Sequence, residues 1–361
     1  MADTTHVEIL RATQLDGEDA YLNAVVDDLF DEGKKLAYAD WLEEQGDKKR
    51  ATFLRKYAAA FQSMNAKDFP SLRGLPAEWT RMIGAKLVDA IAEHDVSDHR
   101  DEWLGISKPA LIYKAKKKGR TSRKNPFPND QTIPVGGTKL FGVPDLPPGS
   151  AWPRQKDCDV FYMEGSGIAP EMLCSFVCQI NFADFAGTQA GRLIPDKGLL
   201  SIFSCSEIDT IGMVDALAIY TPDVDNLERM EPPMTLVDKK KEGWDEANAL
   251  QDAQNLSFSE TLEIPYPDDE SPFDEVRYGW DDDLSDKLDD VKHQSDGGEQ
   301  GDSFLGYTRA TTGADPLPGR DYCKLICIEN TIGIVLHFCI RNKDIAAGKF
   351  KNVKLAWVDF D

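Results

Sequence analysis

The sequence lacks the features that would place a chain in a membrane or direct it out of the cell. It has no run of about 18 apolar residues, so no membrane-spanning helix is predicted. The first residues, MADTTHVEIL, have no basic stretch followed by an apolar core, and we therefore predict that no secretory signal is present. Together these absences predict a cytoplasmic location.

Cysteine is scarce and odd in number, with seven thiols in 361 residues. Without an export signal these are expected to be reduced. Two C-x-x-x-C pairs occur, at 174/178 and 323/327, in segments with strand character. On a strand, residues i and i+4 are about 13 Å apart, too far to share one metal ion. The pattern favours buried free cysteines, and we predict neither a metal site nor a cofactor.

Catalytic motifs are missing as well. None of the five histidines lies in a nucleophile motif such as G-x-S-x-G. No phosphate loop is present, and no G-x-G-x-x-G follows a predicted strand. The sequence leaves catalysis open, but it favours a protein that is not an enzyme.

Basic residues are outnumbered, since 41 Lys and Arg oppose 63 Asp and Glu and give a net charge of -22. This charge argues against nucleic acid as a partner and favours a protein partner that is basic or neutral. Residues 105–125 nevertheless carry eight basic and no acidic side chains. We interpret 105–131 as a basic linker, either a solvated tether or an arm docked on the acidic remainder of the chain. Residues 268–302 hold fourteen acidic and three basic residues and are predicted to be a flexible acidic insert.

The first 104 residues have helical periodicity and predict a small all-helical domain. Within it, LAYADWLEEQGDKKRATFLR resembles the repeat-companion domain, a short bacterial family with the approximate core L-x-YADWLEE-x-GD-x-x-RA-x-F-x-R. The resemblance covers about twenty residues and implies no activity. The residues themselves predict a helical hairpin in which Trp41 and Leu42 pack inward.

Residues 132–361 predict an antiparallel β-sheet domain built from two degenerate half-repeats. KLFGVP, CSFVCQI and GLLSIFSC come first, and SFLGYT, CKLICIE and GIVLHFCI follow in the same order. The apparent matches are Gly142 with Gly306 and the C-x-x-x-C pair of one half with that of the other. Two copies at unequal spacing fit a pseudo-symmetric sheet domain better than a repeat array.

The same region resembles the YwqG-like family of uncharacterised bacterial proteins. The matching segments are FGVPDLPPGSAWP, FVCQINFADF, LIPDKGLLSIF, FLGY and IRNKDIAAGKF. The sequence departs from the family where Phe141 replaces the first glycine of a G-G pair. The resemblance implies an α+β fold with curved antiparallel sheets and a protein-binding, immunity-like role.

Candidate binding residues stand in three places. Trp152 precedes a proline and is either a core plug or an exposed anchor, of which we favour the plug. Gln179 ends a predicted strand and either satisfies buried backbone groups or lines a groove. The run Asp281, Asp282 and Asp283 lacks the spacing of a calcium loop and is interpreted as part of a solvated acidic loop. No catalytic residue is assigned.

Two functions compete on this basis. The first is a cytosolic, non-enzymatic protein-binding module, immunity-like or scaffolding, that engages a basic or neutral partner. The alternative is a small-ligand-binding protein or enzyme with a pocket between the two half-repeats, formed by Trp152, Gln179 and polar loop residues. A filled interface between the halves would disfavour the alternative, and a deep pocket with convergent polar groups would favour it.

Overall fold

The computed structural model describes residues 7–63, 68–116, 129–157, 171, 173–204, 216–231, 252–265, 282–295, 303–307, 321–329 and 335–358. Over these ranges the chain has the predicted α+β class, with helices concentrated in the N-terminal region and mainly antiparallel sheets after it. No helix within them is both long and apolar enough to cross a membrane.

Eight α-helices occur in the described ranges: α1 Asp19–Val26, α2 Glu32–Glu44, α3 Lys48–Ser63, α4 Ala77–Met82, α5 Ala85–Glu93, α6 Arg100–Ile106, α7 Asp282–Ser295 and α8 Asn342–Ala346. The strands are β1 Glu8–Leu10, β2 Lys108–Lys116, β3 Lys139–Leu140, β4 Asp145–Leu146, β5 Ser175–Asn181, β6 Leu199–Ser204, β7 Ala216–Thr221, β8 Glu228–Arg229, β9 Asn255–Glu263, β10 Ser303–Phe304, β11 Tyr322–Glu329, β12 Val335–Arg341 and β13 Lys354–Val358.

Helices α1–α6 pack around an aromatic core in which Tyr38 and Trp79 are fully buried. The buried Glu18 carboxylate accepts hydrogen bonds from the Tyr38 hydroxyl and from the Arg50 guanidinium. Arg50 is also held by Asp47 at 2.6 Å. The Y…GD..R spacing of the sequence thus brings Tyr38 and Arg50 to one buried acid, with Asp47 holding Arg50 in place. The resemblance of this segment to the repeat-companion domain stays a prediction.

Two sheets enclose the main core. Seven strands form the larger sheet in the order β1-β9-β2-β10-β11-β12-β13, and four form the smaller sheet in the order β3-β5-β6-β7. Their inner side chains belong to a single apolar cluster that includes Leu111, Ile202, Phe258 and Phe338. Burial of these side chains supplies the main driving force for joining the sheets.

The predicted basic linker is wrong for residues 108–116, which form β2. This strand pairs along its nine residues with β9 and also pairs with β10. Leu111 and Tyr113 are buried in the main core. The basic composition was misleading because the lysines of β2 stand near its ends, whereas ALIY in its middle is apolar. Residues 117–128 lie outside the described residues.

The predicted flexible insert is wrong for residues 282–295, which form α7. Its Val291 is fully buried in the helical core, and Lys292 donates to the Ile264 carbonyl at 2.7 Å. A single apolar contact face is enough to fix an otherwise acidic helix against its neighbours. The remaining parts of the predicted insert, 268–281 and 296–302, lie outside the described residues.

The N-terminal region is tied to the larger sheet in two ways. It begins with β1, which pairs in parallel with β9, so the region is not wholly helical. In return, Leu262 of β9 and Ile264 just after it belong to the helical core. The helices and the larger sheet therefore share continuous packing.

The predicted duplication is visible in the topology. Strands β3-β5-β6-β7 and β10-β11-β12-β13 follow the same order. Each first strand is followed by two consecutive left-handed residues, Phe141–Gly142 with φ of 55° and 79°, and Leu305–Gly306 with φ of 64° and 86°. Phe141 thus adopts a conformation that favours glycine, the residue that the resembled family has there.

Matching hydrogen bonds fix the alignment of the two halves. The Phe141 N–H donates to the Val177 carbonyl at 2.7 Å, and the Leu305 N–H donates to the Leu325 carbonyl at 2.9 Å. Both acceptors lie at register shifts in their strands, as expected for β-bulges. Val177 therefore corresponds to Leu325, and the predicted match of the two C-x-x-x-C pairs is wrong by one residue.

In the second half, a buried carboxylate supports the left-handed turn. Glu263 accepts the Tyr307 N–H at 2.5 Å, and both of its oxygens lie 3.1 Å from the Lys324 ammonium. Ser303 donates to the same carboxylate at 3.1 Å. The turn backbone is thereby satisfied by an acid whose charge is neutralised within the core.

The first half has an equivalent buried acid–lysine pair at its turn, but the acid and the lysine come from other positions in the chain than in the second half. Asp130 accepts the Val143 N–H at 3.1 Å and the Lys139 ammonium at 2.7 Å. Lys139 also donates to the Val143 carbonyl at 2.6 Å. Each half thus has one buried acid and one buried lysine at its X-Gly turn.

Replacing the turn glycines should cost more than backbone strain alone. At Gly142 and Gly306 a Cβ would overlap the carboxylates of Asp130 and Glu263, whereas at Gly149 it would meet nothing. We expect Gly149→Ala to cost about 1 kcal/mol because φ is positive. Gly142→Ala and Gly306→Ala should each cost about 3 kcal/mol or more, because the buried pair is also displaced. Urea unfolding measures this, and equal costs at all three positions would contradict the supporting role of the carboxylates.

Candidate functional site

Trp152 belongs to a core and does not form an exposed anchor. It is 7% exposed, and its indole N–H donates to the Cys174 carbonyl at 2.8 Å. Its ring meets the Phe203 ring edge-on, with centroids 6.2 Å apart. This small cluster covers the outer face of the β3-β5-β6-β7 sheet. Of the two alternatives, the structure places Trp152 as a plug.

Gln179 is also fully buried, and it satisfies buried polar groups. Its amide donates to the Gly137 carbonyl and to the Asp145 carboxylate, each at 2.7 Å, and accepts the Asp145 N–H at 2.9 Å. Burial opposes ionisation of Asp145, but the Arg229 hydrogen bond at 2.8 Å and the nearby Lys139 outweigh it and lower the pKa of Asp145. Gln179 therefore helps to order a buried charge network.

The acidic run is described only in part. Asp281 lies outside the described residues, and Asp282 and Asp283 begin α7, with only their backbone described. Helix α7 packs on the helical module formed by α1–α6, where Gln294 Oε1 lies 2.8 Å from His94 Nε2 at the end of α5. The predicted candidates thus occupy three separate places.

A different group of residues forms a cleft of about 920 Å³ between the two half-units. The first sheet and its connections contribute residues 192–196 and Tyr220, and the start of β2 contributes Lys108 and Pro109. The second half contributes residues 305–306, 323–324 and the α8 region, residues 342 and 345–348. The halves meet beside this cleft through the packed aromatic rings of Phe182, Tyr220 and Phe350, whose centroids are 5.0 to 5.8 Å apart.

The cleft floor is built on the second buried ion pair. Lys324 lines it and is held by Glu263, while Gly306 of the left-handed turn lies beside it. Burial opposes ionisation of Glu263, but the charges of Lys324 and Lys292 and the hydrogen bond from the Tyr307 N–H outweigh this effect and lower the pKa of Glu263. The floor is therefore a preorganised arrangement of charges.

Lys108 adds a second cation next to the floor. Its ammonium lies 4.3 Å from the centroid of the Tyr307 ring. Burial lowers the pKa of Lys108, and the neighbouring Cys323 and Glu263 oppose that shift. A lysine in a cleft with a perturbed pKa is a recognised sign of a binding or reactive site.

One wall of the cleft is anchored by the helical module. Arg192 forms an ion pair with Asp27 after α1 at 2.9 Å. The buried Glu260 of β9 accepts the Gln189 N–H at 2.6 Å and the Ala12 N–H at 2.8 Å. The 189–196 connection is thus held from the N-terminal region as well as from the sheet.

The thiol that lines the cleft is not activated as a nucleophile. Burial raises the pKa of the Cys323 thiol to about 11, so the thiol is protonated near neutral pH and a weak nucleophile. Within the described part of the chain, no group of three or more His, Cys, Asp or Glu is placed to hold a metal ion. What the cleft offers is cations beside apolar surface.

Sequence reasoning missed Lys108, Arg192 and Lys324. Their positions are far apart in the chain; Arg192 and Lys324 stand in segments of ordinary composition, and Lys108 stands in the stretch that was interpreted as a basic linker. The one available signal was a lysine within an otherwise apolar strand, as in CKLICIE, since an unpaired charge is rarely buried.

These features define an α+β protein with an internally duplicated sheet and a cleft at the junction of its two halves. A domain of unknown function, DUF1963, matches residues 138–358, and the chain belongs to this family. YwqG is a member of the same family, which agrees with the predicted resemblance. No curated protein matches the chain.

Removing the acid beneath the cleft should destabilise the protein in a pH-dependent manner. Glu263→Gln leaves Lys324 buried without its counter-charge and should cost about 3 kcal/mol at pH 7. Because the pKa of Glu263 is lowered by folding from 4.5, its contribution is present above that value and is lost as the pH falls through the lowered pKa. Urea unfolding at several pH values should therefore show the variant and the parent converging in acid.

Glu8→Gln provides the control, because Glu8 forms an exposed ion pair with Lys116. It should change stability little at any pH. A Glu263→Gln effect that is as small as the control, or that grows in acid, would contradict the assigned ion pair.

Proposed function

We propose that this chain is a small-molecule-binding protein whose site is the cleft between the two half-units. The observation that carries the proposal is that both halves line one cleft of about 920 Å³. This volume lies within the range of about 300–1,000 Å³ that is common for small-molecule sites.

The surroundings of the cleft support the same function. Its floor is fixed by the Lys324–Glu263 pair, and one wall is anchored through Arg192 to Asp27. A site that is ordered before the ligand arrives loses less entropy on binding. The protonated Cys323 thiol favours a binder over an enzyme that uses this cysteine as a nucleophile.

Filling the cleft tests the proposal. Ala346 lines the cleft and is exposed, so Ala346→Trp should occupy the space without disturbing a core. A library of small metabolites is screened for compounds that raise the thermal unfolding midpoint. A ligand at about 100 times its Kd stabilises the parent by about 2.7 kcal/mol, and this gain should disappear in Ala346→Trp.

Ala77→Trp is the matched control, because Ala77 is an exposed helical alanine outside the cleft. It should respond to ligand like the parent. Ligands that stabilise the parent and Ala346→Trp equally would place the binding site elsewhere and refute the proposal.

A second candidate function is the binding of a basic protein, which keeps the immunity-like or scaffolding role predicted from the sequence. It is supported by the net charge of -22 and by helix α7, on which Asp286 and Asp290 are exposed. A cytoplasmic location is part of this proposal, as is the absence of nucleic-acid and membrane partners.

Removing the exposed negative charges of α7 tests whether the chain binds a basic protein through this helix. The immobilised chain should retain a specific protein from cell extract at low ionic strength and release it at high salt. Asp286→Asn with Asp290→Asn should weaken retention severalfold. Asp223→Asn with Asp225→Asn, the same charge change at another exposed site, should not. Equal loss in both double variants would show a general charge effect only.

A further inference from the structure

A groove on the helical module is separate from the cleft between the half-units. Its volume is about 700 Å³. Its lining residues on α3 recur at spacings of one, three and four from Lys49 to Ala60, so one face of this helix forms the first wall. The second wall is the segment 68–75, which follows α3 in the chain. We call this space the α3 groove.

The second wall is fixed to the rest of the helical module. Phe69, Leu72 and Leu75 pack against the helical core. The Lys49 ammonium donates to the Gly74 carbonyl at 2.5 Å and thereby ties the segment to α3. The Leu75 N–H donates to the Leu72 carbonyl at 3.1 Å, which closes a turn. The groove therefore has its shape before any ligand arrives, and this reduces the entropy lost on binding.

Helix α3 is strongly basic, with five basic and no acidic residues among its sixteen. Two of the five, Arg50 and Arg55, do not line the groove, and each of them pairs with two carboxylates. These four carboxylates therefore balance the arginines of α3 and not its lysines.

The α3 groove has an excess of positive charge. Lys49, Lys56 and Arg73 line it, and they are opposed by Asp68. Among the residues that the structure describes, Lys56 and Arg73 form no ion pair, and the Gly74 carbonyl that Lys49 contacts is neutral. At physiological salt, charges more than about 8 Å away are largely screened, so a ligand in the groove experiences these cations more than the distant acidic surface.

The surface between the cations is partly apolar. Phe53 and Ala60 are buried there, and Pro70 and Leu75 are half-buried. Phe53 is the one aromatic residue among the described lining residues, and it is 5% exposed. The groove therefore offers contact to an apolar side chain but no open ring on which a nucleic-acid base could stack.

The spacing of the cations suits an extended peptide. Lys56 lies about two helical turns after Lys49, which corresponds to about 10 Å along α3. Arg73 precedes Gly74, the residue that Lys49 contacts, so Arg73 belongs to the Lys49 end of the groove. An extended chain advances about 3.3 Å per residue, so carboxylates about three positions apart match the distance between the two ends.

We propose that the α3 groove binds a short acidic segment of a partner protein. Its two carboxylates, about three positions apart, pair with Lys56 and Arg73, and an apolar side chain between them packs over Phe53. This site is independent of the cleft between the half-units and of the ligand proposed there.

Two labelled peptides test the proposal. The first has two glutamates three positions apart with leucines between them, and the second has glutamines in place of the glutamates. Fluorescence anisotropy at low ionic strength should show that the full chain binds the acidic peptide about tenfold more tightly, the size expected for two exposed charge pairs. Lys56→Gln with Arg73→Gln should abolish this preference and leave the affinity for the glutamine peptide unchanged.

Asp68→Asn is predicted to have the opposite effect. It removes the carboxylate that opposes the cations and should tighten binding of the acidic peptide about twofold. A residue with a purely structural role would not improve binding when it is replaced.

Two controls keep the interpretation specific. Lys343→Gln with Lys351→Gln removes the same charge from exposed positions outside the groove and should bind both peptides like the parent. Ala346→Trp fills the cleft and should also bind them like the parent, which separates this site from the proposed function. Circular dichroism of each variant checks that the fold is retained.

Three results would overturn the proposal. The first is equal affinity of the parent for the two peptides, and the second is a preference that survives in the Lys56 and Arg73 double variant. The third is a single-stranded oligonucleotide of matched charge that binds more tightly than the acidic peptide and is lost in the same double variant. That result would make the groove a nucleic-acid site.

Discussion

The buried carboxylate of Glu263 is the constraint on which the second half of the molecule depends. Glu263 stands at the end of β9 and accepts a hydrogen bond from the Tyr307 N–H in the turn after β10. It also pairs with the ammonium of Lys324 from β11. Three segments distant in sequence are thus fixed by one side chain. An ion pair at such a depth adds little net stability compared with apolar packing, but a missing partner is costly, and this asymmetry enforces a single arrangement. The floor of the cleft is fixed by the same ion pair, because Lys324 lines it.

The duplicated sheets could be predicted from sequence because each strand is recognisable locally as an apolar run bounded by glycine and proline. The two buried ion pairs could not be predicted in this way. Lys139 comes from β3, whereas its counterpart Lys324 comes from β11, and the position equivalent to Lys139 is Ser303. In each half a lysine ammonium pairs with the buried acid at the turn, but the lysine is on the first strand in one half and on the second strand in the other. An alignment of the two halves compares positions along the chain, so it cannot detect this exchange.

Composition was a weaker guide than periodicity wherever the two disagreed. The basic segment and the acidic segment were both judged by net charge, yet ALIY in β2 and Val291 in α7 bury apolar side chains in different cores. Net charge reports what a segment presents to water, and a few apolar side chains decide where it packs. Trp152 and Gln179 were identified from their surroundings and proved to be buried, satisfied groups. The cleft was missed because its lining converges only after folding.

The pairing of β1 with β9 has a consequence for biosynthesis. The Ala12 N–H reaches the Glu260 carboxylate across 248 positions of the chain. During translation the N-terminal helices emerge well before their partner strand, so residues 8–10 cannot pair with β9 until most of the protein has been made. Native contacts of such long sequence separation slow folding, and unpaired edges invite association with other chains. We therefore expect the helices to reach their final position on the larger sheet late in folding.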